Sequence, residues 1–389
     1  MHRCLAISEV LRIIAGALSL DEDIESDTES SRPYCGTLSA MAQTCKTFRD
    51  PFLRELWKDL GSLQPLINCL PPDIWVKRYT KTWFDLTKPT QSLDLTRFEY
   101  YAPLVKSVVI EPASLGYDAI PALTFLRRTT YVLPNLEELY WTMVDSRRSE
   151  IFPYIHAFLA PSLHSLTLSL EGRAAEDTFS LFLDFLAAAC SSLRCLDLVV
   201  DQENDQPTLR LAKGDSLTPL NLAVFRSDCL PIDKATLISL AGIPTLEEAW
   251  LYITGDVAIH LRRLPESSFP ALKKLHLADD FDFRGCATIV NSTSFPHLES
   301  LNVTCEWPTL AGVTAILGTV QKHCCSNKLH QLEISCNTMT GGGRTVELNL
   351  DIIQSLAGFG NLRELSFHFP CWLNFNDSDL EDLSKAASP

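Results

Sequence analysis

Nowhere in the chain do about 18 uncharged apolar residues follow one another, so no segment reads as a helix that crosses a bilayer. Positive charge is also scarce: 33 Lys and Arg stand against 48 Asp and Glu, a formal net charge of -15. Phosphate backbones are bound through cationic surfaces, so this balance argues against nucleic acid as a partner. The Arg pairs at 127–128, 147–148 and 262–263 read as solvated loop residues. The 13 cysteines are odd in number, scattered and never spaced Cys-x-x-Cys. That pattern fits reduced thiols in core positions, and hence cytoplasm or nucleus, better than a disulfide framework. Met1–Leu20 is broken by Glu9 and Arg12, so it reads as folded protein, not as a signal peptide.

Catalytic signatures are missing too. The chain has no Gly-x-x-x-x-Gly-Lys-Ser/Thr, no Gly-x-Ser-x-Gly and no His-Glu-x-x-His. Gly341–Arg344 lacks the Lys of a phosphate loop and reads as a flexible turn. His323, Cys324, Cys325, His330 and Cys336 lack the ligand spacing of a zinc site. Asp279-Asp-Phe-Asp282 follows a strand and reads as a solvated loop. The expectation is a protein that is not an enzyme and holds no metal or cofactor.

What the chain does have is a repeat. Pro296-His-Leu-Glu-Ser-Leu-Asn-Val303 returns as Pro134–Trp141, Pro161–Leu168, Ser191–Leu198, Pro244–Leu251, Pro270–Leu277 and Gly360–Phe367, with weaker copies at 105–110, 222–225 and 329–334. The leading apolar residues, 105, 136, 163, 193, 222, 246, 272, 298, 329 and 362, are 24 to 33 residues apart. Each copy ends in x-Leu-x-Leu, the alternation of a strand with one buried face. One unit cannot bury that face alone, so stacked parallel strands and a solenoid are expected. The spacing resembles leucine-rich repeats, although the Asn or Cys that usually follows occurs only in the copy that begins at Leu329. The resemblance implies a curved parallel sheet over residues 101–373 with helices on its convex side. Residues 178–190, 234–241 and 310–322 carry that helical pattern, and 201–218 and 338–345 read as loops.

Ahead of the repeats, Ile7, Val10, Leu11, Ile14 and Leu18 fall on one helical face. A second helix reads from Leu38 to Phe48. A third follows Asp50 as cap and Pro51 as first helical residue. Leu5–Leu18, Leu38–Phe48 and Leu56-Trp57 resemble an F-box, with Ala6-Ile7 where that family has Leu-Pro. The resemblance implies docking on a Skp-family adaptor of a cullin-RING ubiquitin ligase, with the repeats holding a substrate protein. Ile7, Glu9, Val10, Leu11, Ile14, Leu38, Ala42, Cys45, Lys46, Phe48 and Trp57 occupy the family's motif positions.

Residues 1–60 are thus expected to form this module. Within it, 19–37 is an acidic disordered insertion that offers Ser26, Thr28 and Ser30 for phosphorylation. Residues 61–100, rich in Trp75, Tyr79, Trp83 and Phe84, are expected to be a packed helical connector centred on Pro72–Leu86, and 374–389 a frayed acidic tail.

Between the two buried positions of each strand lies one residue that faces the other side of the sheet. These are Val109, Tyr140, Thr167, Asp197, Arg226, Trp250, His276, Asn302, Glu333 and Ser366. Two residues later come Thr142, Ser169, Val199, Asp228, Tyr252, Ala278, Thr304, Ser335 and His368. Aromatics beside Arg are the composition of binding hot spots, so Tyr140, Arg226, Trp250, Tyr252 and His276 are the candidate substrate surface. The alternative reading is a repeat scaffold that binds a protein without serving a ligase.

Overall fold

The computed structural model describes residues 7–19, 33–78, 81–84, 93–111, 115, 118–142, 153–171, 176–201, 217–254, 261, 263–265, 267–336, 345–349, 352, 356 and 358–374. The chain forms two compact units, Met1–Ser169 and Leu170–Pro389.

The first unit begins with three helices, α1 (Ser8–Ser19), α2 (Pro33–Thr44) and α3 (Lys46–Lys58). Leu11, Ala15, Leu38, Ala42, Phe48 and Phe52 form their shared core, ringed by the half-buried Ile14, Leu18, Met41, Cys45, Leu53 and Leu56. Two boundaries differ from the sequence reading. Helix α2 starts at Pro33, whose missing N–H costs nothing in a first helical turn, so 33–37 are helical. The acidic residues 20–32, with Ser26, Thr28 and Ser30, lie outside the described residues. Helix α3 starts five residues before Pro51, which sits inside it, and Asp50 is not its cap. Phe48 and Phe52, one turn apart, stack at 5.5 Å in the core and hold the helix across the proline. The Thr47 carbonyl, which Pro51 cannot reach with an N–H, belongs to an exposed residue.

Straight after α3 come strand β1 (Asp59–Leu60) and the short helix α4 (Gln64–Ile67). The expected helical connector is instead an antiparallel hairpin, β2 (Trp75–Arg78) with β3 (Lys81–Phe84). Trp75 is in register with Phe84 and Val76 with Trp83, so the segment pairs as strands and not as a helix. Helix α5 (Thr96–Tyr101), strand β4 (Ser107–Ile110), helix α6 (Ala119–Leu126), strand β5 (Glu138–Thr142) and strand β6 (Ser165–Glu171), which runs to the unit boundary, follow. In this unit β1 pairs with β4, β4 with β5 and β5 with β6, all parallel.

The second unit carries α7 (Glu176–Ala189), β7 (Cys195–Asp201), β8 (Val224–Pro231), α8 (Lys234–Ala241), β9 (Glu248–Ile253), β10 (Lys274–Asp279), α9 (Arg284–Ser292), β11 (Ser300–Cys305), α10 (Leu310–His323), β12 (Gln331–Cys336), β13 (Val346–Asn349), β14 (Glu364–His368) and β15 (Cys371–Asn374). Strands β7 to β12 and then β14 are neighbours in order, and β13 pairs separately with β15. The fold is therefore α/β, built on parallel-paired strands in each unit. Helices α7, α8 and α10 match the expected helical stretches to within a residue or two. Among the described residues no helix is long and apolar enough to cross a membrane.

The repeat spacing sets the register. Leu275 lies between Ala249 and Leu301, and Leu301 between Leu275 and Leu332. The leading residues from Val105 to Leu329 are buried, and only Leu362, in the last copy, is half-buried. In several copies a short polar residue before the leading Leu ties the copy to the one before. Ser162 Oγ donates to the Leu136 carbonyl at 2.7 Å, Thr245 Oγ1 to that of Leu222 at 2.8 Å, and Asn361 Nδ2 to that of Asn327 at 2.7 Å. Ahead of each strand one carbonyl accepts two N–H groups of the next copy. Ala223 O takes Glu247 and Glu248 at 2.8 and 3.0 Å, and Glu247 O takes Lys273 and Lys274 at the same distances.

Among the described residues the register breaks once, in β8. Between Ser227 and Pro231 the strand bulges, so Pro231 and not Asp228 lies beside Tyr252. Asp279 and Asp282, read as part of a solvated loop, are both buried. Their carboxylates are satisfied by the turn itself, since Asp279 accepts the Phe281 N–H and Asp282 the Arg284 N–H, each at 3.0 Å.

Candidate functional site

Two groups of side chains answer to the sequence expectations, one in each unit. In the first, the three helices divide the motif positions into inside and outside. Leu11, Leu38, Ala42 and Phe48 are core. Val10, Ile14, Cys45 and Trp57 are half-buried, with Trp57 stacked on Tyr101 at 4.2 Å. Ile7, Glu9 and Lys46 are exposed. The most exposed apolar side chain of α1 is one the sequence reading missed, Ile13 at 72%. It lies off the stripe that runs through Leu11 and Ile14, and helical periodicity assigns such a position to solvent without marking it as a contact. Ile7, just ahead of α1, is exposed as well.

In the second unit the outward residues of neighbouring strands form one row. Asp197 pairs in register with Arg226, Arg226 with Trp250, Trp250 with His276, His276 with Asn302, Asn302 with Glu333 and Glu333 with Ser366. Parallel strands hold such neighbours about 4.8 Å apart, close to the distance at which flat side chains stack. Arg226 places its guanidinium carbon 5.5 Å from the Trp250 ring centre. His276 stacks on Trp250 at 4.6 Å and 10° between planes.

Glu248 ties this stack together. Its Oε1 accepts Arg226 Nε at 3.0 Å, Arg226 Nη2 at 2.7 Å and Trp250 Nε1 at 3.0 Å. The hydrogen bond to Glu248 holds Arg226 still further in its charged form. Burial pushes the Asp197 carboxyl up, against the pull of Arg226. Burial also pushes His276 down to about 4, and its Nδ1 has no hydrogen-bond partner among the described residues. Glu248 was missed by the sequence reading. It stands two residues before Trp250, so strand periodicity puts it on the same face; the Glu247-Glu248 pair simply read as polar turn.

Of the remaining expected residues, Tyr252 is half-buried on β9 with Ala278 and Pro231 as register neighbours. Tyr140 is exposed between buried Leu139 and Trp141, in the first unit. The structure thus gathers Arg226, Trp250 and His276, and adds Glu248 and Asp197.

Such a row is suited to recognition: it offers carboxylate acceptors and aromatic surface on a rigid sheet. A hollow lined by Leu95, Phe98, Leu126 and Val132 in the first unit holds only about 50 Å³, against the several hundred of a small-molecule site. Among the described residues no three His, Cys, Asp or Glu side chains are grouped to hold a metal ion. A scan against protein-family models finds no match for the chain, and no curated protein matches it.

Proposed function

We propose that the protein is the substrate receptor of a Skp-cullin-F-box ubiquitin ligase, working in the cytoplasm or nucleus. The N-terminal helices serve as its F-box and the ladder as a curved leucine-rich-repeat array with helices on the convex side. The observation that carries the reading is the helical trio. It closes around Leu11, Leu38, Phe48 and Phe52, leaves Ile7 and Ile13 in water, and is followed by a parallel ladder built on the repeat. The chain itself is then not catalytic. One end binds the adaptor, the row around Trp250 holds a substrate protein, and proximity lets other subunits transfer ubiquitin.

The test is co-purification of the full chain with a Skp-family adaptor. An adaptor complex of this kind buries roughly 1,200 to 2,000 Å². Capture by the wild type, lost in an Ile7→Asp/Ile13→Asp variant that keeps its thermal midpoint, supports the ligase reading. A folded wild-type chain that captures no adaptor removes it.

A second reading, a repeat scaffold outside any ligase, has its own support. Helix α3 runs directly into β1, whose Leu60 pairs with Val108, and Trp57 stacks on Tyr101, so the trio is built into the edge of the sheet. Repeat arrays need such end caps. On that reading no adaptor binds, and deleting residues 1–58 makes the chain aggregate.

A further inference from the structure

The loops after β10 and β11 hold three large apolar side chains in water: Phe281 is 70% exposed, Trp307 49% and Leu310 47%. Backbone geometry brings them together. The Trp307 N–H donates to the Phe281 carbonyl at 2.8 Å, and Leu310 opens α10 three residues later. The footing is well tied. Buried Asp282 accepts Arg284 Nε at 2.7 Å and Thr309 Oγ1 at 3.2 Å, while Thr309 Oγ1 caps α10 by accepting the Gly312 N–H at 3.0 Å. A Cβ on Gly312 would stand 3.2 Å from the backbone nitrogen of Phe283, so the helix start and the loop fit without slack. Phe and Trp held in water on such a base are the residue types that dominate binding energy at interfaces.

Charge indicates the partner's chemistry. Asp279, Asp280, Asp282 and Glu306 flank the three apolar side chains in the sequence, and Arg284 among them is engaged by Asp282. Asp280 makes no salt bridge among the described residues, and its Oδ1 is buried there without a hydrogen-bond partner. Asp280 as a whole is only half-buried, so a cation arriving with an apolar neighbour can meet its carboxylate while the neighbour covers the exposed side chains. We propose that Phe281, Trp307 and Leu310, with Asp280 beside them, are a docking surface for a segment of another protein that carries Lys or Arg next to a bulky apolar residue. These residues lie on loops at the strand ends and at the start of α10, outside the row around Trp250, and the inference does not rest on the ligase reading.

The experiment uses the full chain and arrays of synthetic 12-residue peptides with Arg or Lys one to three residues from Leu, Phe or Trp. Matched arrays replace the basic residue by Glu or the apolar one by Ser. Members of the first array should bind, more weakly at high salt, and lose at least about tenfold in affinity with Trp307→Ser or Asp280→Asn but nothing with Trp250→Ala. Because Phe281 and Trp307 are exposed, Phe281→Ser serves with the same expectation should Trp307→Ser fail to fold. Absence of binding from the first array, equal binding by the Glu peptides, or indifference to these substitutions overturns the proposal. So does a wild-type dimer in sedimentation that Trp307→Ser dissociates, since the surface would then belong to a second copy.

Discussion

Trp250 and His276 stack with 4.6 Å between ring centres because they are register partners on adjacent parallel strands, and the same stack denies His276 the water that would keep its imidazolium. Four predictions follow from relationships of this kind.

Burial sets two ionisable groups of one strand against each other. His276 is pushed down to about 4, so its contribution to stability is complete above its ordinary value of 6.5 and is lost as pH falls toward 4. Asp279, three residues on, is pushed up to about 6, chiefly by burial, so its contribution is complete below 3.8 and is lost as pH rises through 6. Each effect is on the order of 3 kcal/mol, and between pH 4 and 6 they oppose. Chemical denaturation across that window should show His276→Phe losing stability with rising pH relative to wild type, and Asp279→Asn gaining it. Parallel pH profiles for the two variants would refute the assignment.

Leu301 is fully buried and Asn302, next on the strand, is half-buried on the opposite face. Leu301→Ala should cost about 2 to 5 kcal/mol through the cavity it leaves. Asn302→Ala should cost less than about 1 kcal/mol, the scale of a surface substitution. Equal shifts of the thermal midpoint would mean the faces are misassigned.

Glu247 and Glu248 are neighbours with different partners. Glu247 accepts Lys273 Nζ at 2.8 Å on an open surface, whereas Glu248 accepts three hydrogen bonds at the foot of the stack. Glu248→Ala should therefore cost about 1 to 3 kcal/mol, and Glu247→Ala at most about 1 kcal/mol, shrinking further in salt. Unfolding curves at two salt concentrations decide the order.

In α1 the substitutions that unfold the module and those that disarm it should separate. Leu11→Ala removes a core side chain and should cost about 2 to 5 kcal/mol, while Ile13→Ala should be nearly silent in stability. A stable Leu11→Asp variant would contradict the core described above.

The ladder is legible in the chain because Leu recurs where a strand must turn inward, and a one-residue slip would put every one of these residues on the wrong face. The row from Asp197 to Ser366 therefore reads out correctly, while in the row two residues further on the bulge in β8 moves Pro231 into the place expected for Asp228. The pairing of β2 with β3 is not legible by the same means. Trp75, Tyr79 and Trp83 repeat every four residues, a helical spacing, and only the pairing of Trp75 with Phe84 shows which period prevails. Asp50-Pro51 looks like a helix start, but Phe48 and Phe52 bury one turn apart and draw the helix through it. The burial of Asp279 and Asp282 depends on backbone N–H partners, which leave no trace in a pattern of side chains. Glu248 and Ile13 were hidden for a related reason, since polarity and periodicity assign them to solvent and only geometry tells what they do there.

The doubled acceptors ahead of the strands make the two sides of a copy interchangeable. Ala223 O receives Glu247 and Glu248 just as Glu247 O receives Lys273 and Lys274. Excising residues 247–272 would present Lys273 and Lys274 to Ala223, a seam of the same chemistry and register. A cut from 247 that ends inside a copy would leave both edges mismatched. Length in this chain is thus quantised: a variant that loses or duplicates a whole copy keeps its strands in register, and its outward row shortens or lengthens by one strand's worth of side chains.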